Sequence, residues 1–479
     1  MVKDKSKLSV LLNSGYIRSA LCSMRHAFLI VLVGAFLSLT TISGCGVPRQ
    51  LTTTVDEMNV RGEYSQALSY VEEHREEYQN RNRLLFYLDA GMFAFSAGDY
   101  ERAVQDFTAA EQLMEELYTI SVSREATTFL INDNTAPYRG EDFESVMVNL
   151  FLALSYANLS KIEDALVEAR KIDSKLAAIN LQYDEEHQNA YREDPFARML
   201  IGILYEMGQT SADLNDAYIS YSLAINGYES EYQRFGLSVP GILAEKALST
   251  AEFMGEEQQD QLRERFPSQQ FPSLAERKEK AEVFGLHFNG RAPVKEPATI
   301  VFPMPDGFLL KVAFPTYGKV DKRIVGGRLY AKPLEEDRAF QAPFTVAEPI
   351  GKIAKENLED RKGRIVVKTI ARVTAKYLAV KAVQKAAREA AGRDHGALAG
   401  LLAGVAGNVL VFTSEEADLR CWRTLPAEIL ISKLTLEPGT YQFWAECYDA
   451  SGRIIRKVEL GQRDLRPGEK ILLQFRTTE

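Results

Sequence analysis

The sequence predicts an α+β multidomain protein: an N-terminal α-helical solenoid of repeats, then a small β-sandwich-like domain with a helical insertion. Three observations predict it. A pattern of glycine, tyrosine and alanine at helical spacing recurs through residues 61–230. Short apolar segments between Pro and Gly breaks fill much of the chain after residue 281. Between about 347 and 410 the apolar residues return to helical periodicity. The expected division is a leader at 1–44, a linker at 45–60, repeats at 61–280 and a β-rich domain at 281–479 with its insertion at about 347–410. At 479 residues the chain is too long for one core. A net charge of −9 disfavours non-specific binding to nucleic acid, and no nucleic-acid partner is expected.

The first element is the leader. Met24, Arg25 and His26 give a positive start, with Met24 an alternative first residue, and "AFLIVLVGAFLSL" gives an apolar core. Ile42, Ser43 and Gly44 then precede Cys45. This run resembles the lipobox of bacterial lipoproteins. Small residues let the peptidase reach the backbone, and the Cys45 thiol takes a diacylglycerol. The competing reading is a plain membrane anchor, but the apolar core is shorter than the roughly 20 residues a spanning helix needs. Gly46 stands where aspartate would imply inner-membrane retention, so the resemblance implies the outer membrane. A membrane, reached through the Cys45 lipid, is one expected partner.

The second element is the repeat array. In "GMFAFSAGDYERAVQDFTAAEQL", Gly91 leaves room for a neighbouring helix, and Gly98 and Tyr100 make the turn. Ala103, Phe107 and Ala110 follow at helical spacing. The segment resembles a tetratricopeptide repeat, apart from Ala90 at the consensus leucine and a missing final proline. Weaker copies carry Gly62, Tyr64 and Ala67, then Leu152, Ala153, Tyr156 and Ala165, then Gly202, Tyr205, Ala217, Tyr221 and Ala224. One helix pair cannot bury its own apolar face, so pairs stack and create a surface suited to peptides or protein segments. Envelope proteins bound through these repeats are the second expected partner; a purely structural brace is the alternative. The insert "NDNTAPYRGEDFE", residues 132–144, reads as a loop. Its Tyr138 and Arg139 are candidates either for partner contact or for tying the loop to the next helix.

The third element is the sheet. "VFGLHFNG", "ATIVFPM", "GFLLKVAFPTY" and "RIVGGRLYAKP" read as strands before the insertion. "EILISKLTL", "TYQFWAECY", "RIIRKVEL" and "KILLQF" read as strands after it. In the sixth, Tyr441, Phe443, Ala445 and Cys447 share one face, and Gln442, Trp444, Glu446 and Tyr448 the other. Eight such segments suit a small sandwich.

The insertion has two parts. From Arg361 to Arg388 it holds nine basic residues and no acid. Lys368, Arg372 and Lys376 stack four apart, beside an apolar stripe of Ile370, Val373, Tyr377 and Val380. Such a helix either lies on an anionic surface or shows a solvated face. The second part places Gly392, Gly396, Gly400 and Gly404 four apart, and Gly396 to Ser414 carries no charge. The glycine ladder permits close helix contact. It serves either packing on the basic helix or the sheet, or self-association with insertion in a membrane. "VLVF" at 409–412 reads alternatively as a buried strand.

Catalytic chemistry has little footing. His74, His187, His287 and His395 are scattered, and no HExxH, GxSxG, phosphate loop or paired-cysteine zinc signature is present. No metal, cofactor or catalytic residue is assigned. His287, followed by Asn289 and Arg291, is the least bland histidine. Arg420 and Trp422, with Asp418, form either a partner-binding patch or a buried corner. Cys421 and Cys447 form either a disulfide or two buried thiols.

Together, the lipobox-like run, the repeats, "NDNTAPYRGEDFE", "VEARKI", "FNGRAPVKE" and "ADLRCWRTLP" resemble an uncharacterised family of bacterial tetratricopeptide-like envelope lipoproteins. The resemblance covers nearly all of the mature chain. Such proteins are often encoded beside lipoproteins similar to penicillin-binding-protein activators and curli-secretion components. It implies a role in envelope assembly or secretion and carries over no catalytic residue. Cys421 stands where the resemblance implies serine, which speaks against a disulfide. The expected function is a non-enzymatic outer-membrane lipoprotein, facing the periplasm, that acts as a protein-binding scaffold. The alternatives are an oligomeric secretion component whose helix at 392–410 inserts in the membrane, and a hydrolase acting on peptidoglycan or peptide.

Overall fold

A computed structural model describes residues 47–128, 133–181, 191–208, 210–319 and 322–479. The expected leader, Cys22, Cys45 and His187 lie outside the described residues. From Pro48 to Glu479 the chain forms one compact unit.

Helix pairs build the N-terminal half: α1 (Arg49–Arg61) with α2 (Tyr64–Glu73), then α3 (Arg83–Ala97) with α4 (Tyr100–Thr128). After them come α5 (Asp142–Asn158) with α6 (Ile162–Leu181), α7 (Pro195–Gly208) with α8 (Ser211–Ser230), and α9 (Gly241–Met254) with α10 (Glu256–Arg265). This is the TPR-like array the repeats predicted, with a further pair at its end and with helix α1 in place of the linker expected at 45–60. Gly98 closes α3 at φ 82°, a left-handed position that costs a glycine nothing. A Cβ on Gly91 would sit 2.7 Å from the Phe107 ring, so α3 and α4 meet only because that position is bare. Gly202 is bare for the same reason against Tyr221. The start of α8 is fixed by a capping box, in which Thr210 Oγ1 accepts from Asp213 N–H and Asp213 accepts from Thr210 N–H.

A short helix, α11 (Leu274–Glu279), leads into the sheets. The first sheet has the order β10 (Lys470–Thr477), β1 (Ala281–Asn289), β7 (Glu428–Leu436), β6 (Thr345–Glu348). Strand β1 runs parallel to β10 and antiparallel to β7. The second sheet has the order β5 (Phe340–Pro343), β4 (Gly326–Pro333), β8 (Gly439–Tyr448), β9 (Ile454–Leu465). The two pack face to face through Val283, Leu329, Ala331, Phe443, Ala445 and Phe475. In β8 the predicted alternation holds: Tyr441, Phe443, Ala445 and Cys447 are buried, and their neighbours are half-buried. Every residue of β1 is buried, because its other face lies against the helices. Phe288 meets Phe95 of α3 and Phe151 of α5 edge-on and tilted, at 5.4 and 5.6 Å.

The sandwich differs from the eight-segment expectation. β2 (Lys295–Pro303) and β3 (Leu309–Tyr317) leave it and pair only with each other. β5 and β6, four residues each, take places in the two sheets; they are too short to carry an alternation signal. The insertion is two helices, α12 (Ile350–Ala390) and α13 (Gly392–Ser414), packed as a hairpin. "VLVF" is therefore helix, not strand. β3 packs on this hairpin through a small core of Phe308, Val373 and Val411.

Candidate interaction surfaces

The most ordered polar chemistry lies where the two halves meet. After α13 the chain runs without helix or strand from Glu415 to Ala427, turning at Arg423 and Thr424, across α1, α3 and α5. Trp422, 1% exposed, inserts against Phe107 and Phe151. Its backbone N–H donates to Glu144 Oε1 at 2.7 Å, and its indole N–H donates to Thr424 Oγ1 at 2.9 Å. Thr424 donates in turn to Asp89 Oδ1 at 3.0 Å, while Tyr78 O–H donates to Asp89 Oδ2 at 3.1 Å. Tyr138 O–H donates to Glu144 Oε2 at 2.7 Å. Burial pushes the carboxyls of Asp89 and Glu144 each up to about 7, partly offset by these donors.

Arg420 lies in the same segment. It pairs with Asp418 at 2.6 Å and donates to the carbonyls of Ala136 and Asp133, stitching 415–427 to the insert before α5. The partner-binding role expected of Tyr138, Arg420 and Trp422 therefore needs correction. All three are buried against their own chain, because the insert and residues 415–427 satisfy each other. Arg139 alone of the four is exposed.

A second junction cluster joins α7, α9, α11 and the first sheet. Lys246 Nζ, 1% exposed, lies 2.7 Å from both Glu206 and Glu282. Arg277 pairs with the same two carboxylates, and Lys433 lies 2.8 Å from Glu282. Burial would raise the Glu282 carboxyl, but Lys246, Lys433 and Arg277 outweigh it and hold it well below its ordinary value. Nearby, Tyr228 O–H donates to the Ala347 carbonyl at 2.9 Å, and Tyr232 O–H donates to Glu348 at 2.8 Å. Burial, then the neighbouring Asp194, drives Glu348 well above the carboxylate range. Sequence reasoning missed these residues. The available signal was charge inside an apolar helical run: Asp89 in "LLFYLDAGMF", Glu206 in "LIGILYEMG", and the adjacent Glu245 and Lys246 in "GILAEKALS".

The basic row of α12 turns inward from Arg372 to Lys376, while Lys368 stays exposed. Lys368 pairs with Asp133 at 2.9 Å. Arg372, 1% exposed, holds Asp133 and Glu415, each at 3.1 Å. Lys376 holds Glu415 at 2.5 Å. The anionic surface expected for Lys368, Arg372 and Lys376 is thus supplied by two acids distant in sequence. The glycine ladder of α13 faces α12. A Cβ on Gly396 would lie 2.5 Å from the Arg388 carbonyl oxygen, one on Gly400 would strike the Arg388 side chain, and one on Gly404 would strike Gln384. Gly392, at φ 69°, makes the turn between the helices.

His287 is fully buried, stacked on Phe475 at 4.3 Å and 2.8 Å from Thr477 Oγ1. Burial lowers it to about 3, so the ring is neutral and sealed from any substrate. Cys421 and Cys447 are free buried thiols, pushed by burial up to about 11 and about 12. Among the described residues no His, Cys, Asp and Glu group is placed to hold a metal ion.

No family model matches the chain, and no curated protein matches it. Among solved structures, nearly identical TPR-like repeats from Podosopora anserina are similar at 12% identity, with a TM-score of 0.31, over 47% of this chain and 96% of that one. BtubC from P. vanneervenii is 15% identical, with a TM-score of 0.30, over 52% of this chain and 85% of its own. A tetratricopeptide repeat protein from Parabacteroides merdae is 14% identical, with a TM-score of 0.23, over 47% and 80%. These scores are low, and the repeat architecture rests on the helix pairs themselves.

Proposed function

We propose that the protein is a non-enzymatic scaffold of the bacterial cell envelope, tethered to the outer membrane through a lipid on Cys45 and serving envelope assembly or secretion. The observation that carries the scaffold reading is the use of its polar chemistry. The strongly shifted acids Asp89, Glu144 and Glu348 hold the halves together, and His287 is sealed inside the sandwich against Phe475 and Thr477. Their shifts come from burial at a junction, not from a cleft that admits a substrate. The hydrolase alternative loses its one favoured histidine by the same geometry.

The first helices of the repeat pairs lie against the chain's own C-terminal half, so a protein partner meets the second helices. There α8 presents Ile219 and Leu223, one turn apart and 46% and 41% exposed, and α6 presents Val167 at 48%. The leader pattern ending at Cys45 supports the tether, and the sequence resemblance supports the envelope setting. Two measurements test the reading. A Cys45→Ala chain should lose its lipid label and leave the membrane fraction. Photo-crosslinking from position 223 in cells should yield one or two defined envelope proteins. Cell-wall hydrolysis by the purified protein, lost in His287→Ala, would reject it.

A further inference from the structure

Among the described residues, α13 is the one helix long and apolar enough to cross a membrane, yet only 17% of its most apolar 18-residue window is buried. A core helix would be covered. With the glycine ladder turned toward α12, the outward positions are Leu398, Leu401, Leu402, Val405, Val409 and Leu410, each 46–58% exposed, with Ala397 and Ala406 between them. At 100° per residue they span an arc of about 220°, with no charge between Ala397 and Leu410 and Asn408 near one edge. The last outward residue, Thr413, returns its hydroxyl to the Val409 carbonyl at 2.8 Å.

The width of this arc selects the occupant. A second copy or another protein covers one stripe of a helix and leaves a polar far side in water. Here the apolar arc takes more than half of the circumference, and the polar groups flanking it are Asn408 and the side chains of α12. A helix exposing so wide an apolar arc fits an apolar medium better than a single protein seam. We infer that α13 lies in the acyl-chain boundary of a phospholipid bilayer, in contact with lipid along its Leu/Val arc. The inference rests on the proposed tether only for the membrane being near.

The helix inserts in one leaflet and does not span. Gly396–Ser414 measures roughly 28 Å, close to the roughly 30 Å hydrocarbon thickness, so length alone permits a span. The neighbours forbid it. On α12, Lys381 pairs with Asp306 in the β2–β3 turn, midway along the hairpin. Spanning would drag that pair into the hydrocarbon, at a cost of several kcal/mol. With α13 lying flat, α12 rides above it, and Lys381 and the exposed Lys385 reach headgroup level. The ladder sets this depth, because bare glycines let α12 approach α13 closely. The β2 strand adds exposed Ile300, Val301 and Phe302 beside the hairpin.

The test uses the full chain in vesicles of phosphatidylethanolamine and phosphatidylglycerol, with a Leu402→Trp substitution as reporter. Some vesicles carry bromine near the headgroup end of the acyl chains and others near the chain terminus. The added emission should shift to the blue and lose most of its intensity to the shallow bromines. Val167→Trp on α6 should lose none. An unquenched reporter would overturn the inference, whether water or protein covers the face. Strongest quenching by the deep bromines would overturn the one-leaflet placement. Leu398→Trp repeats the measurement should Leu402→Trp misfold. Co-flotation with vesicles reads the tether separately. A chain that floats with an unquenched reporter rejects the hairpin contact and keeps the tether. A quenched reporter in Cys45→Ala keeps the contact without the tether.

Discussion

The junction of repeats and sheets and the α12–α13 hairpin invert the usual distribution of residues. At the junction, Lys246, Glu282, Asp89 and Glu144 are at most 7% exposed. On the hairpin, a run of leucines and valines faces outward. Buried charges need partners, and each of these four has them within 3.1 Å. Exposed leucines need an apolar surround, and the rest of this chain leaves about half of each of these side chains uncovered. The comparison teaches that the interior polar groups fix how the halves meet, while the exterior apolar groups face another phase.

The largest expected effect comes from stranding the buried carboxylates. Lys246→Met leaves Glu282 and Glu206 short of a cation and should cost about 3–5 kcal/mol by urea unfolding. A cost under about 1 kcal/mol would show that Arg277 and Lys433 suffice. Trp422→Ala removes the ring packed against the stacked Phe107 and Phe151 and should cost about 3–5 kcal/mol.

Asp89 sharpens the comparison through pH. Burial raises its folded pKa from 3.8 to about 7, so the folded state binds more protons than the unfolded state between those values. Its contribution is full below pH 4 and is lost as pH rises through 7, at roughly 1.4 kcal/mol per pH unit inside that window. Asp89→Asn keeps one hydroxyl contact as it is and the other only with the amide N–H donating, and it should flatten that part of the stability profile. An unchanged profile would assign the slope to Glu144 or Asp194, which burial also raises, to about 7 and about 6.

Effects on the hairpin should be smaller and local. Gly396→Leu drives a side chain onto the Arg388 carbonyl and should cost about 1–3 kcal/mol, read as faster amide exchange over 378–410. Leu402→Asp should change stability in water by less than about 0.5 kcal/mol, because the side chain touches solvent there. The same substitution should abolish shallow-bromine quenching of a Leu398→Trp reporter.

Much of the fold was legible because its signals are local. Gly91, Gly98, Tyr100 and Phe107 report a helix turn within seventeen residues, and β8 reports its faces by alternation. What was illegible is what each outward face meets. Lys368, Arg372 and Lys376 form a basic row in the sequence, but the acids that neutralise them are Asp133 and Glu415, at distances up to 239 residues. Trp422 beside Arg420 suggested a patch, and only the arrival of α4 and α5 makes it a core residue. The glycine ladder was legible as close packing. The bare Leu/Val arc behind it follows only once α12 is known to fill the glycine side.

The most direct test of the account is site-specific photo-crosslinking in cells at two positions, Leu223 on the repeats and Leu402 on the hairpin. The account predicts defined protein adducts from 223 and lipid, without protein, from 402. Protein adducts at 402 with none at 223 would contradict it, placing the partner on the hairpin and leaving the repeats as a brace.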